Sequence, residues 1–304
     1  MIMNSNIDIN LKSIKPFENI KDKNLLKVKE ESELLKFSMG AAISTQDVIP
    51  NKILLILSGQ ARLLHVTKSG QSFKSSTVKI LKADDFIGIA SLLRGQSCEF
   101  ITASNDVLAL AIPDRLVLNL YHEDLAFKSW FNKKIQPAEA YQLAIHLNEN
   151  SPNSRKSIKD LVKILEKETI LKVIENENIL DDNENLVTMV GSSNLIDKKI
   201  FETLNPNQRI LTRGRLPARL YQLDKNFYTS ILNEESNIKS FSSNNEIPIQ
   251  KAEKLNINDL TIADGSNKIN ESLEYLGQFK KEKKFKIIRA NGAVKESIAC
   301  LQML

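Results

Sequence analysis

The fold of this chain is decided by the stretch Ile53-Leu-Leu-Ile-Leu-Ser-Gly59, an apolar run that stops at a glycine. It begins a series of short β-rich runs, which continues through residues 61–66, 77–81, 100–103 and 107–112. Turn residues separate these runs, on average about every eight to twelve positions, which is typical of an antiparallel sandwich or barrel. Gly70 lies between two of the runs and supplies the positive φ that a tight hairpin needs. Residues 37–112 are therefore predicted to form one antiparallel β unit.

Helical patterns flank this β unit on both sides. Before it, residues 11–36 combine apolar side chains with many Lys and Glu, at a period suited to short amphipathic helices. After Pro113, apolar residues recur at helical spacing and Asp114 suits the helix N-cap. A second helix is predicted over 138–147, and the polar, Pro-containing stretch 148–154 is predicted to be a linker.

The second half of the chain repeats the order helix, strands, helix. A helix is predicted around 158–165, and residues 186–190, 194–200 and 220–223 have strand-like texture. A weak internal duplication is indicated when 54–59 are laid over 186–191, 79–85 over 202–208, and 108–112 over 220–224. In this second unit four arginines lie close together, and they are interpreted as a charged surface loop, with an anion site as the alternative: Arg209, Arg213, Arg215 and Arg219.

Composition excludes several classes of protein. The 304 residues favour two or three compact units, and with 42% hydrophobic and 26% charged residues the chain reads as an ordinary globular protein. Its aliphatic runs are far shorter than the roughly 20 residues of a membrane span, and its first residues lack a signal peptide, so a cytoplasmic location is expected. A net charge of +5 does not indicate a nucleic-acid binder.

Cysteine and histidine usage argues against a metal site or a disulfide. Cys98 and Cys300 lie about two hundred positions apart, which builds neither a disulfide framework nor a thiolate site, so both thiols are expected to be reduced. His65, His122 and His146 are predicted in a strand, a helix and a helix, without paired ligand spacing. No Walker sequence and no catalytic constellation is found, so the chain is not expected to be an enzyme.

A resemblance to the cyclic nucleotide-binding domain family covers about residues 11–131. It rests on Phe37-x-x-Gly40, on the stretch ending at Gly59, on Asp84-Asp-Phe-Ile-Gly88-Ile-Ala-Ser-Leu-Leu93, and on Thr102-Ala103. The resemblance implies a β-roll that turns sharply at the three glycines. It also implies a short helix after Gly88 that holds a cyclic phosphate on its backbone N–H groups. The alternative is that Gly88, Leu92 and Leu93 are only a turn and two core contacts.

The two polar anchors of that family are missing. Where the resemblance implies a ribose-binding glutamate, this chain has Ile89, and where it implies a phosphate-binding arginine, the register points to Ser97 or Cys98. Arg94 is displaced toward the helix and is interpreted as a solvated helix-end cation. The degenerate phosphate-cassette positions are Gly88, Ile89, Ala90, Ser91, Arg94 and Ser97. We therefore expect no cofactor and negligible affinity for cyclic AMP.

A second resemblance lies at the end of the chain. Ala299-Cys300-Leu-Gln-Met-Leu304, preceded by Lys286-Ile-Ile-Arg, resembles the opening of the peptidase-like domain of bacteriocin-type ABC exporters. Residues 295–297 replace that family's Asp-Cys-Gly, so the nucleophile is absent and Cys300 matches a second, non-catalytic cysteine. The order of parts resembles cyanobacterial toxin-secretion exporters, in which such regulatory domains precede the membrane part. The basic run 280–286 is interpreted as a solvated segment, with acidic lipid as the alternative contact.

Together these patterns predict an α+β, mainly β protein with two cyclic-nucleotide-binding-like β-rolls of jelly-roll type and flanking helices, the second roll being degenerate. A nucleotide-binding-like domain is predicted over 1–135, followed by a helical connection over 136–155 and a degenerate second roll over 156–235. A polar linker with a helix is predicted over 236–285, and the start of a truncated peptidase-like domain over 286–304.

The predicted function is a non-enzymatic regulatory module, and its predicted partner is a membrane ABC exporter subunit at the cytoplasmic face of the inner membrane. Whether the module binds a small-molecule ligand stays open, and nucleic acid is not favoured as a partner. The alternative is a transcription regulator of the cyclic-nucleotide-receptor type with a diverged DNA-binding region.

Overall fold

The protein is described by a computed structural model that covers residues 10–69, 72–151, 156–214 and 216–232. The predicted turn at Gly70, the linker residues 152–154, the polar linker 236–285 and the segment 286–304 lie wholly outside these residues. The predicted domain boundaries remain predictions.

The first β-roll is built from eight strands in two sheets. Their bounds are β1 (Glu33–Phe37), β2 (Ala42–Ser44), β3 (Lys52–Ser58), β4 (Ala61–Ser69), β5 (Ser72–Leu81), β6 (Phe86–Ile87), β7 (Ile101–Ala103) and β8 (Val107–Pro113). One sheet has the order β1-β8-β3-β6, and the other has the order β2-β7-β4-β5. These strands confirm the β-rich runs predicted from the sequence, and they add β1, β2 and β6.

Helices surround this roll. They are α1 (Asp22–Glu31), α2 (Ile89–Arg94), α3 (Asp114–Glu123), α4 (Leu125–Asn132) and α5 (Pro137–Glu149), and two short 3-10 turns precede α1. Residues 34 and 35 belong to β1 and not to the predicted entry helix, because β1 pairs along its whole length with β8. The helical pattern after Pro113 is two helices, since Asp124 caps a new helix by accepting the backbone N–H groups of Ala126 and Phe127.

Strand β3 lies between two hydrophobic clusters and contributes side chains to both. Successive side chains of a strand point to opposite faces. Accordingly Ile53 and Leu55 pack in a cluster with α1, α3 and α4, while Leu54 and Ile56 pack inside the roll. All four side chains are buried, which accounts for the uninterrupted apolar run from which the fold was predicted.

The second β-roll is a reduced copy of the first. It starts with α6 (Ile158–Glu168) and ends with α7 (Lys225–Leu232). Its strands are β9 (Ile170–Ile174), β10 (Glu177–Ile179), β11 (Leu186–Val190), β12 (Thr203–Leu204), β13 (Arg209–Leu211) and β14 (Ala218–Asp224). The sheet order β12-β11-β14-β9 reproduces β6-β3-β8-β1, and the pair β10-β13 reproduces β2-β7. The predicted pair of rolls, the second one degenerate, is confirmed.

Backbone details place the two rolls in register. Asp84, before β6, has a φ of 74° and donates its N–H to the carbonyl of Ile56. Phe201, before β12, has a φ of 67° and donates its N–H to the carbonyl of Val190 in the same way. Each residue of β3 therefore has an equivalent residue in β11. Leu54, for example, is equivalent to Thr188.

Parts of the predicted second unit were wrong. The duplication is shifted from the predicted superposition by two residues at β11, one residue at β14 and more at β12, because short apolar runs match equally well in several registers. Residues 194–200 form turns with a single bridge between Leu195 and Thr212, and not a strand. Strands β9, β10 and β13 were missed. Residues 205–208 form a short turn, which leaves no room for a helix like α2.

The two rolls share a hydrophobic core. One cluster contains residues from both rolls and from α5 and α6, among them Ile56, Tyr141, Leu161, Met189 and Tyr221. The second roll also has an inner cluster of its own, which includes Val190 and Leu220. Among the helices of the described residues, none is long and apolar enough to cross a membrane.

Candidate functional site

The short helix α2 lies between two glycines in left-handed conformations. Gly88 precedes it with a φ of 90° and Gly95 follows it with a φ of 64°. A Cβ atom on Gly88 would lie 2.8 Å from the Pro50 ring and 3.1 Å from the Ile53 side chain. Gly40 and Gly59 also have positive φ, so the three glycines of the resemblance occupy sharp turns as predicted.

The space beside α2, where the resemblance places a nucleotide, is filled by the chain's own side chains. Ile89 is 1% exposed and Ala90 is also buried. The remaining cavity measures about 10 Å³ and is lined by Leu63, Leu81, Phe86, Ile89, Ala90, Glu99, Ile101, Gln136, Pro137 and Ala138. A cavity of this size holds about one water molecule, so a nucleotide would need the surrounding side chains to move.

A buried carboxylate, Glu99, lines this cavity. Burial raises the pKa of Glu99 to about 7, and hydrogen bonds from the Gly88 backbone N–H and the Ser91 side chain lower it in part. Its Oε1 atom has no hydrogen-bond partner among the described residues. Glu99 was not predicted from the sequence, although a lone Glu before the apolar strand β7 was the available signal. The site thus contains an acidic group where the family's ligand would bring a phosphate.

The residues at the predicted arginine position carry no cation. The Cys98 backbone N–H donates to Ser91 Oγ at 3.2 Å, and burial raises the pKa of the Cys98 thiol to about 12. Ser97 is half-buried, and its hydroxyl donates to the carbonyl of Thr45 at 3.3 Å. Neither side chain can supply the charge-assisted contact that a phosphate needs.

Helix α5 covers α2. Ala138 packs with Ala90 and Cys98 in a small buried cluster. Further along the same helix, Gln142 Nε2 donates to the Cys98 carbonyl at 2.8 Å. Tyr141 Oη lies 3.2 Å from His65 Nδ1 on β4. Helix α5 is thus fixed to the roll by both packing and hydrogen bonds.

Arg94, the last residue of α2, points to the second roll and not to solvent. It is 2% exposed, which corrects the predicted solvated cation. Its Nε donates to the Gly191 carbonyl at 2.8 Å, and its guanidinium carbon lies 5.4 Å from the centre of the Phe201 ring. Ser193 adds two hydrogen bonds, from its N–H to the Arg94 carbonyl and from its hydroxyl to the Gly95 carbonyl. The loop between β11 and β12 is therefore attached to α2.

A buried ion pair joins α5 to the second roll. Arg219 Nε and Nη2 donate to Glu139 Oε1 and Oε2 at 2.6 and 2.8 Å, and both side chains are almost fully buried. Burial by itself would lower the pKa of Arg219, but the Glu139 carboxylate raises it above its ordinary value. Tyr221 Oη and the Gln136 backbone N–H also donate to this carboxylate, at 3.0 and 2.8 Å. The pair is bidentate and fully hydrogen-bonded, which is the favourable geometry for a buried ion pair.

This ion pair corrects the predicted surface loop of four arginines. Arg209 and Arg213 are exposed, Arg215 lies outside the described residues, and Arg219 is buried. The available signal was the strand period, since Arg219 and Tyr221 share the face of β14 that meets α5. In the described part of the chain, no group of three or more His, Cys, Asp or Glu side chains could hold a metal ion.

Comparison with protein families agrees with the architecture of the first roll. Residues 34–124 match the family model of the cyclic nucleotide-binding domain. The predicted resemblance is confirmed for this part of the chain, and domains of this family are generally regulatory and not catalytic. No curated protein matches the sequence.

Several solved structures are similar to this chain. The regulatory domain of Toxoplasma gondii PKA, solved with cAMP, is 9% identical over 74% of this chain and 92% of that one, with a TM-score of 0.34. The catabolite activator protein of Thermus thermophilus is 21% identical over 44% and 58%, with a TM-score of 0.32. The sensor domain of the transcriptional regulator DNR from Pseudomonas aeruginosa is 14% identical over 48% and 91%, with a TM-score of 0.36.

Proposed function

We propose that this chain is a non-enzymatic regulatory module whose first roll no longer binds a cyclic nucleotide and is held closed by the second roll. The observation that carries this proposal is the filled pocket. Ile89 and Glu99 line the nucleotide position, helix α5 covers it, and only about 10 Å³ remains. The chain's own residues take the place of a ligand.

Charge and volume both oppose a cyclic phosphate at this position. The Glu99 carboxyl group would lie beside the phosphate, and in its ionised form it would repel the phosphate, because like charges at close range are unfavourable. Arg94, the cation nearest in sequence, is engaged with Gly191 and Phe201. A nucleotide would therefore bind without the charge-assisted bond that gives the family much of its affinity.

Titration calorimetry of the full chain with cyclic AMP and cyclic GMP tests this proposal. We expect no saturable heat and no rise in the thermal midpoint with either nucleotide. The variant Glu99→Gln is a useful companion, because it removes the charge and leaves the volume filled. We expect it to remain without measurable affinity. Micromolar binding by the unaltered chain would overturn the proposal.

A membrane exporter subunit is the partner that we propose for this module, which would place it at the cytoplasmic face of the inner membrane. The support is the sequence resemblance of residues 286–304, which lie outside the described residues. Deleting 286–304 should leave the thermal midpoint nearly unchanged and improve solubility. A large drop in the midpoint, or a neighbouring reading frame without a membrane ATPase, would speak against this partner.

The alternative of a DNA-binding regulator is less well supported. A helix-turn-helix needs two helices joined by a tight turn. The candidate segment 156–176 instead forms α6 followed by strand β9.

A further inference from the structure

Two cavities lie side by side at the start of α5. The smaller one, beside α2, measures about 10 Å³ and contains Glu99, whereas its neighbour measures about 320 Å³. Four residues line both cavities, namely Leu81, Phe86, Gln136 and Pro137. These four residues therefore form the wall between Glu99 and the larger cavity.

Glu99 is only partly satisfied in the smaller cavity. It is 3% exposed, and its carboxyl group accepts hydrogen bonds from the Gly88 N–H and the Ser91 side chain. Its Oε1 atom has no partner among the described residues. Burial without full hydrogen bonding disfavours the ionised form, which is why the pKa of Glu99 is raised to about 7. Additional water would stabilise the ionised form, but the cavity has room for about one molecule.

No other charged side chain lines the smaller cavity in the described part of the chain. Charged groups on the surrounding elements are engaged elsewhere, in the contacts Arg94–Gly191, Glu139–Arg219 and Lys79–Glu166. Asp84 and Asp85 line the larger cavity only, and His65 on β4 contacts α5. The Cys98 thiol has a pKa raised to about 12 and stays neutral. Water is thus the available source of stabilisation for an ionised Glu99.

Gln136 is the polar residue of the shared wall and the N-cap residue of α5. Its Nε2 donates to the Lys134 carbonyl at 3.5 Å, beyond the usual range of roughly 2.7–3.2 Å. The bond from Gln136 to the Glu139 carboxylate comes from the backbone N–H, so a rotation of the side chain leaves it in place. The larger cavity reaches solvent at the exposed Asp84 and Lys134.

We propose that the Gln136 side chain is a gate between the two cavities, which is closed over protonated Glu99 and shifts toward an open position when Glu99 ionises. Opening admits water from the larger cavity to the carboxylate. The inference rests on the filled pocket of the proposed function, and it adds that the closure of this pocket depends on pH.

The direction of the pH dependence follows from the two positions of the gate. With the gate open, the carboxyl group meets water and ionises near its ordinary pKa of 4.5, whereas with the gate closed it ionises near 7. Opening is therefore increasingly favoured as the pH rises between these values. His65 and His146 act in the opposite direction, because burial lowers the pKa of both and their protonation at acidic pH would favour opening.

Amide hydrogen exchange of the full chain, measured by NMR, tests the gate. The backbone N–H groups of Ile89 and Ala90 lie beside the smaller cavity and report how often water reaches it. After correction for intrinsic exchange, their protection should fall at least about tenfold between about pH 5.5 and about pH 8.5. About 1 M urea should leave this exchange unchanged, because the movement of one side chain exposes little surface.

Two pairs of variants sharpen the test. Glu99→Gln should keep the protection at its acidic-pH value throughout, whereas Glu149→Gln, which removes an exposed carboxylate of α5 that lines neither cavity, should behave like the unaltered chain. Gln136→Ala should lose protection at both pH values. Gln222→Ala, which removes a half-buried amide from the second roll, should not.

The gate is overturned if protection in the unaltered chain does not change with pH, if Glu99→Gln keeps the change, or if Gln136→Ala exchanges like Gln222→Ala. It is also overturned if the fall in protection depends on urea, because the amides would then exchange through global unfolding. The exchange experiment contains no nucleotide, so these outcomes are separate from the calorimetric result that would overturn the proposed function.

Discussion

The two rolls share one frame and differ in the part that would hold a ligand. Each begins with a helix, α1 or α6, and each has the same order of strands in its main sheet. The first roll keeps the hairpin of β4 and β5 and the cassette helix α2. In the second roll β12 and β13 are joined by the short turn 205–208. The comparison teaches that the frame of this fold stands without its ligand-binding part.

The second roll makes several contacts with the first at the position of the cassette helix α2 and of α5. The loop between β11 and β12 is attached to Arg94 and Gly95, and Arg219 on β14 is paired with Glu139 on α5. Helix α5, which lies between the two rolls in the chain, is thereby fixed over helix α2 of the first roll. We call these contacts, made by residues 191–193 and by Arg219 with α2 and α5, the clamp.

The largest effect should come from breaking the clamp at its buried ion pair. Arg219→Met leaves Glu139 buried without its cation, which typically costs about 3–5 kcal/mol. Urea unfolding followed by circular dichroism measures this loss. The control Arg209→Met removes an arginine whose ion pair with Glu177 is exposed, and the free energy of unfolding should hardly change. A small loss for Arg219→Met would mean that the rolls do not depend on this pair.

A somewhat smaller effect is expected from the buried Glu99 of the first roll. Its pKa of about 7 in the folded chain lies above the ordinary value of 4.5. Between these two values the folded chain binds more protons than the unfolded chain, so this group makes stability fall as the pH rises toward 7. Glu99→Gln should therefore stabilise the chain at pH 8 by on the order of 3 kcal/mol.

The pH series provides the check on Glu99. The difference in unfolding free energy between Glu99→Gln and the unaltered chain should grow from about pH 4.5 to about pH 7 and then level off. Glu202→Gln serves as a control of opposite sign, because Lys198 lowers the pKa of the half-buried Glu202. A constant difference for Glu99→Gln would show that its carboxyl group is not desolvated.

A moderate effect is expected at Gly191, whose carbonyl accepts the Arg94 hydrogen bond and which packs against β14 of its own roll. Gly191→Ala would place a Cβ atom 2.7 Å from the Tyr221 ring and 2.8 Å from the Arg219 carbonyl oxygen. Overpacking of this kind costs about 1–3 kcal/mol. Thermal unfolding measures it, and an unchanged midpoint would mean that Gly191 packs less closely against β14, within the second roll, than described.

The smallest effect should come from Arg94. Its guanidinium has no carboxylate partner among the described residues, and its Nη1 atom has no hydrogen bond. Replacing a poorly satisfied buried charge with an apolar side chain of similar volume is often neutral. Arg94→Met should therefore change the free energy of unfolding by no more than about 1 kcal/mol, in contrast to Arg219→Met.

The first roll was largely predictable from the sequence because its signals are local. Apolar runs such as Ile53–Leu57 end at glycines, and a glycine with positive φ marks a turn in the chain itself. The missing anchors at Ile89 and Ser97 could likewise be read from their positions in one continuous stretch.

The clamp was not predictable because its partners are far apart in the chain. Arg219 and Glu139 are 80 positions apart, and a charged residue in a polar-looking segment is usually exposed. Short strands such as β10 and β13 carry three residues each, too few to show a period. Tertiary pairing, and not local pattern, decides these positions.

The clamp is tested most directly by the accessibility of the Cys98 thiol, which is buried between α2 and α5. In a Cys300→Ser background Cys98 is the remaining thiol, and its labelling rate under native conditions reports how often α5 opens. Leu116→Ala, a core substitution on α3, lowers global stability and changes none of the residues that form the clamp. Under conditions of equal stability, Arg219→Met should raise the labelling rate at least about tenfold above that of Leu116→Ala. Equal rates in the two variants would contradict the account, because the second roll would then add stability without holding the first roll closed.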